Sequence, residues 1–205
     1  GVAWASMKLG QKAVIYLPKG TAPQRIEAIR KTGAKAVVIE GNYDDAVEKM
    51  ARDGEKEGWQ VISDTAWRGY QDIPRWIMQG YTVLFDEAME EIKESGGCMP
   101  THIILQAGVG SFSASGVGYF NSIYGKKRPV SIIVEPDNAA CFYESIQIND
   151  GDPHRAKGDL STIMAGLSCG VPNPIAWDIH LDYSDVFVSC KDELSALSMR
   201  ALGNP

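Results

Sequence analysis

An α/β fold, two-lobed and built on open, mainly parallel sheets, is predicted by three features of this sequence. Apolar β-rich runs alternate with helical stretches, glycine or proline punctuates most of the exchanges, and a glycine turn at Gly108–Ser111 joins one such run to a helix. Strands alternating with helical patterns are the signature of parallel sheets joined by helical crossovers.

The elements follow in order. Gly1 to Leu9 reads as the middle of a helix closed by Gly10, with no capping residue before it. Lys12–Leu17 is a strand ended by Pro18, Ala22–Thr32 a helix stopped by Gly33, and Lys35–Ile39 a buried strand. Tyr43–Glu57 is an amphipathic helix with Ala46, Val47 and Met50 inward and Gly58 at its end, and Gln60–Ile62 is a short third strand. The polar, aromatic segment from Asp64 to Ile73 breaks the pattern just past a strand's carboxyl end, where open α/β sheets bind ligands. Pro74 suits the first turn of a long helix reaching Ser95, which crosses between lobes. Next come a strand at His102–Gln106, the glycine turn, a glycine-weakened helix at Phe112–Tyr124 and a strand at Val130–Val134. A helix at Ala139–Gln147, a loop-rich stretch at Asn149–Asp182, a strand at Asp185–Val188 and a helix at Lys191–Leu202 complete the chain. Residues 1–97 are expected to form most of a smaller lobe plus the crossing helix, and residues 98–205 part of a larger one. Gly203, Asn204 and Pro205 stop just past a helix, so both ends suggest an internal fragment.

Composition narrows the function. The chain has 205 residues and a net charge of −6, which gives no electrostatic reason to hold nucleic acid or an anionic membrane. The basic cluster Lys126, Lys127, Arg128 reads as a solvated turn. No apolar run approaches the ~20 residues that span a bilayer, and no signal peptide is visible, so the expected compartment is the cytoplasm. The four cysteines form no CxxC pair and the three histidines show no ligand spacing, so no metal site is expected.

Three places could carry chemistry. Glycines at 108–111 leave N–H groups free to meet an anion at a helix N-terminus, with Ser111 as a further donor. The same glycines would equally serve a tightly packed turn. A dinucleotide fingerprint is incomplete, since Ser113 stands at its third glycine, although Glu135 lies roughly where the ribose-binding acid would be. Asp64, beside Trp67 and Tyr70, is either a turn cap or a desolvated acid/base; residue type alone favours the cap. In Glu135–Ala140, Asn138 could cap a helix or the segment could contact a ligand.

Seven stretches are similar to the diaminopropionate ammonia-lyase family, in that family's order. They are GVAWA (Gly1–Ala5), IYLPKG (Ile15–Gly20), SDTAW (Ser63–Trp67), PRWIMQG (Pro74–Gly80), QAGVGS (Gln106–Ser111), VEPDNAAC (Val134–Cys141) and GLSCGVPNP (Gly166–Pro174). The resemblance implies the fold type II, tryptophan-synthase-like arrangement with pyridoxal 5'-phosphate as cofactor. It implies elimination from 2,3-diaminopropionate to pyruvate and ammonia, with the cofactor ring as electron sink, in a homodimer acting on a small amino acid. Gly108, Val109, Gly110 and Ser111 match the family's cofactor-phosphate loop. Asp64 matches an active-site aspartate, Glu135 a position near the pyridine ring, and Cys141 and Cys169 positions that pair in some members. The Schiff-base lysine would then lie upstream of Gly1, and the pyridine-nitrogen partner beyond Pro205, so this stretch alone would be inactive. Two rivals are a threonine/serine dehydratase-like lyase, against which Asp64–Trp67 speaks, and a nucleotide-binding module without catalysis.

Overall fold

The computed structural model describes residues 1–203 and divides into two compact units between Ile62 and Ser63. Asn204 and Pro205, which the sequence sets past the last helix, lie outside the described residues.

In the first unit, α1 (Val2–Lys8) precedes β1 (Val14–Pro18), α2 (Pro23–Lys31), β2 (Lys35–Ile39) and α3 (Tyr43–Glu57). The two strands pair in parallel, Val14 opposite Lys35 and Pro18 opposite Ile39. A reciprocal capping box starts α3: Asn42 Oδ1 accepts from Asp45 N at 3.1 Å and Asp45 Oδ2 accepts from Asn42 N at 2.8 Å. The Tyr16 hydroxyl of β1 donates to Asp53 of α3 at 2.5 Å, and Lys49 holds the same carboxylate. Residues 60–62, expected as a third strand, belong to neither sheet. Val61 packs on α3 instead: a Cβ on Gly54 would lie 2.5 Å from Val61 Cγ2.

The second unit carries α4 (Asp72–Glu94), β3 (His102–Gln106), α5 (Ser111–Tyr124), β4 (Val130–Pro136), α6 (Cys141–Ile148), α7 (Pro174–Tyr183), β5 (Val186–Cys190) and α8 (Asp192–Gly203). Its strands run parallel in the order β3-β4-β5. Helix α4, grouped with residues 1–97 on sequence, packs against α5 inside this unit. Met78, Phe85, Leu105, Val117, Phe120, Ile133, Phe142 and Trp177 form the core, and burying each such side chain contributes about 1.5–3 kcal/mol. Gly116 lets α5 approach: a Cβ there would stand 2.8 Å from both Leu105 Cδ1 and Phe85 Cζ. Of the two glycines that weaken the helical signal, Gly116 and Gly118, the first is therefore required by packing.

Side chains alternate across a sheet, so the face opposite Leu105 and Ile133 carries Ile104, Ile132 and Val186 in one row and Val134 and Val188 in the next. On that face Ile104 is 70% exposed, and Val130, Val186 and Val188 are exposed as well.

Two expectations are corrected. The loop-rich stretch from Asn149 to Asp182 contains α7, whose N-cap is Asn173 with Pro174 as first residue. Arg128 is no solvated turn residue: it forks onto Asp185 at 2.5 and 3.0 Å, and Asp185 also accepts from Ser131 N and Oγ.

Candidate active site

The strand β3 ends at Gln106, and two residues later the chain turns sharply into α5. Gly110 is the N-cap of α5 at φ +89°, a left-handed conformation that glycine adopts without steric cost. A Cβ on Gly110 would lie 2.2 Å from Phe142 Cζ, and one on Gly108 3.2 Å from Cys169 Sγ. Both glycines are thus fixed by packing on one side, as a tightly packed turn requires. Among the described residues, the N–H groups of residues 108–112 donate to no partner. With the positive end of the α5 dipole added, the turn has the donor set that suits a phosphate. Tight packing lies behind the turn and unbonded amides remain on it, so neither reading left open by the sequence excludes the other.

Asp64 comes to this turn. The Ser111 hydroxyl donates to the Asp64 carbonyl oxygen at 2.6 Å, joining residues 47 apart in sequence. Asn173 Nδ2 donates to the same oxygen at 3.0 Å. The carboxylate accepts from the Tyr81 hydroxyl at 3.1 Å. The local turn bond is made by Ser63 Oγ, which accepts from Thr65 N at 3.4 Å, so Asp64 does not serve as the cap. Burial first, then the Asp64 charge and its hydrogen bond, push the Tyr81 phenol up to about 12. Tyr81 therefore remains a donor to Asp64 throughout the neutral range. Trp67 and Tyr70 stack on each other with centroids 4.2 Å apart.

Glu135 is fully buried behind the turn. Its carboxylate accepts from Phe142 N at 3.0 Å and Tyr143 N at 2.7 Å, at the start of α6. Of the two roles left open for Glu135–Ala140, the cap is supplied by Glu135 rather than Asn138, which donates to Ser161 O. Burial pushes the Glu135 carboxyl up to about 7, partly offset by the two amides. Cys141 Sγ lies 3.6 Å from both Glu135 Oε1 and Gly108 O, linking the acid to the turn. Burial and the neighbouring carboxylate raise that thiol well above its ordinary value. Cys141 and Cys169 form no disulfide.

A second buried group supports the turn. Ser113 Oγ donates to Gly110 O at 3.0 Å, leaving the hydroxyl oxygen to accept from His180 Nε2 at 2.8 Å. His180 Nδ1 then accepts from Ser184 Oγ at 2.7 Å, a tautomer assigned from this network. Burial lowers the His180 imidazole to about 3, so it is neutral and structural.

Two residues of the site escaped the sequence reading. Tyr81 shares the 74, 78, 81, 85 stripe of α4 with buried Pro74, Met78 and Phe85, a spacing that could have exposed it. Asn173 precedes Pro174, and an Asn–Pro pair is a helix-start signal.

Comparison with known proteins gives these features a family. The chain is 50% identical to the diaminopropionate ammonia-lyase of Escherichia coli (strain K12) over all 205 of its residues, covering 51% of that protein. It thus spans about half the length of the curated relatives it matches. The crystal structure of the holo form of the Escherichia coli enzyme superposes with a TM-score of 0.91 at 48% identity, covering 100% of this chain and 50% of that one. The complex of that enzyme with D-serine gives the same TM-score of 0.91, identity and coverage. The pyridoxal-phosphate dependent enzyme family matches residues 1–204, and with a phosphate-suited turn closed onto Asp64 the conclusion is direct: the chain belongs to that family.

Proposed function

We propose that this sequence is the part of a pyridoxal-phosphate-dependent ammonia-lyase that holds the cofactor phosphate and one acid/base group, acting on 2,3-diaminopropionate to release pyruvate and ammonia. The observation that carries the reading is the Ser111–Asp64 bond, which places a carboxylate-bearing segment at the free amides of residues 108–112. The 50% identity over the whole chain to a diaminopropionate ammonia-lyase supports the same substrate. In this reading residues 1–97 supply the smaller lobe with its long helix, and residues 98–205 the phosphate-holding part of the larger. The whole enzyme works as a homodimer in the cytoplasm on a small amino acid.

The residues fit the cofactor. Gly108, Val109, Gly110 and Ser111 offer amides and a hydroxyl to the phosphate, and the α5 dipole adds to them. Bound there, pyridoxal phosphate supplies a sink for the electron pair left when the substrate loses its α-proton. Asp64 is the group that holds or moves a proton: Tyr81 occupies Oδ2, which leaves Oδ1 to face the substrate's α-carbon or amine. Glu135 acts from behind the turn, fixing the start of α6 and, through Cys141, the turn itself. A direct approach of Glu135 to the ring would break the hydrogen bonds it accepts from Phe142 N and Tyr143 N.

The test is pyruvate release by the full-length enzyme containing this sequence, from 2,3-diaminopropionate and from serine. A higher kcat/KM for diaminopropionate is expected, and preference for serine would move the assignment to the dehydratases. The 205-residue chain alone is expected to bind pyridoxal phosphate weakly and without a covalent bond. A visible-edge band that survives dialysis and shifts on borohydride treatment would contradict that.

A further inference from the structure

Asn173 is fully buried and bonded through every polar group of its side chain. Its Nδ2 donates to Ser111 Oγ at 2.8 Å and to Asp64 O at 3.0 Å. Its Oδ1 accepts from Ala66 N at 3.3 Å and Ile175 N at 3.1 Å. Its own N–H donates to Val109 O at 2.9 Å. One residue therefore ties the turn at 109–111 to the segment at 64–66, its side chain reaching Ser111, Asp64 and Ala66 and its backbone Val109.

Capping α7 does not explain this. A cap needs only the oxygen, which Ser, Thr or Asp would supply as well. The amide nitrogen is an additional donor, and it is aimed at the phosphate turn and at Asp64. Its use follows from the Ser111 hydroxyl, which has a single proton. That proton is now donated to Asp64 O, with the two oxygens 2.6 Å apart. A phosphate oxygen at the turn would draw it away, because a hydrogen bond to a charged acceptor is the stronger one. Asp64 O would then retain one donor, the Asn173 amide.

We propose that Asn173 is a positioning residue: it holds the Asp64 segment in register with the phosphate turn when Ser111 transfers its hydrogen bond to a bound phosphate. The proposal rests on the phosphate reading of residues 108–111 and adds to it a route by which filling the turn leaves the acid in place. Surrounding hydrogen bonds of this kind orient the groups that do the chemistry.

The test uses the isotope-labelled chain, titrated by NMR with inorganic phosphate and separately with pyridoxal 5'-phosphate. Three reporters are followed: the amides of 108–111, the carbonyl carbon of Asp64, and the exchange protection of the Trp67 amide, which bonds Tyr70 O. In the wild type the Asp64 carbonyl should move with the same midpoint as the turn amides, while Trp67 protection holds within about twofold. Asn173→Ser keeps the cap oxygen and removes the amide donor. There the turn amides should still saturate, but saturation should cut Trp67 protection by about tenfold or more. An Asp64 carbonyl that ignores saturation of the turn in the wild type overturns the proposal. So does an Asn173→Ser chain whose Trp67 protection does not respond to ligand. A turn that responds to neither ligand removes the phosphate reading itself, and this proposal with it. Should the variant not fold, the wild-type titration decides alone.

Discussion

The Tyr81 hydroxyl donates to Asp64 Oδ2 at 3.1 Å, pairing a residue of α4 with the acid of the turn-facing segment. The pair engages one carboxylate oxygen, and in the role proposed for Asp64 the other one acts. Replacing Asp64 with Asn in the full-length enzyme should lower pyruvate release by about 10²–10⁴-fold. Cofactor absorbance should be retained, because Asp64 does not belong to the phosphate turn. In the chain itself the same change should lower the Tyr81 phenol pKa from about 12, since the nearby charge is one of its causes. A phenol titration followed by ultraviolet difference spectroscopy reads this, and an unmoved Tyr81 would refute the pairing.

Gly110 has a double constraint, a φ of +89° and a ring carbon of Phe142 2.2 Å from where a Cβ would sit. Gly110→Ala should destabilise the second unit by about 2–4 kcal/mol, combining left-handed strain with overpacking. Urea denaturation gives the loss, and binding of pyridoxal phosphate should weaken in parallel. Gly118, with open space around its Cβ position, is the control: Gly118→Ala should be neutral or stabilising.

Two buried groups titrate against each other. Glu135 is raised from 4.5 to about 7, so its contribution to stability is full below 4.5 and is lost as pH rises through 7. His180 is lowered from 6.5 to about 3, so its contribution is present above 6.5 and is lost as pH falls through 3. Between 4.5 and 6.5 the two slopes have opposite sign and offset each other. Glu135→Gln should therefore unmask His180, with stability falling by about 1.4 kcal/mol per unit as pH drops below 6.5. Denaturation midpoints across that range test it; a flat profile in the variant would show that His180 does not titrate as its burial requires.

Asp185 sits between Arg128 and Ser131 at the starts of β4 and β5. The Arg128 hydrogen bond, with those from Ser131, brings its carboxyl down to about 2. The stability it adds is present above 3.8 and is lost as pH falls through about 2. Because the pair is partly exposed, its charge contribution is small and salt-dependent. Asp185→Asn should cost about 1 kcal/mol at low salt and less at high salt, measured by thermal denaturation.

Local signals carried much of the architecture. Lys35–Ile39, Tyr43–Glu57 and His102–Gln106 appear with the bounds that periodicity and punctuation set. Helix α7 was missed because all but its last residue lies inside the long loop-rich stretch from Asn149 to Asp182 and its apolar side chains do not fall on a single stripe; only Asn173–Pro174 marks its start. The glycine turn itself was legible because backbone conformation follows residue type. Its closure on Asp64 was not, since a bond across 47 residues leaves no periodicity. The same applies to Glu135, whose role depends on two amides that only the fold delivers to it.

The uncovered face of the β3-β4-β5 sheet, with Ile104, Val130, Val186 and Val188 open to solvent, has a practical consequence. Parallel sheets are ordinarily sheltered on both sides, and a bare aliphatic surface of this kind attracts reporter dyes and other chains alike. Purified as these 205 residues, the polypeptide should light up anilinonaphthalene sulfonate while still cooperatively folded, and should precipitate from ammonium sulfate earlier than its charge of −6 would suggest.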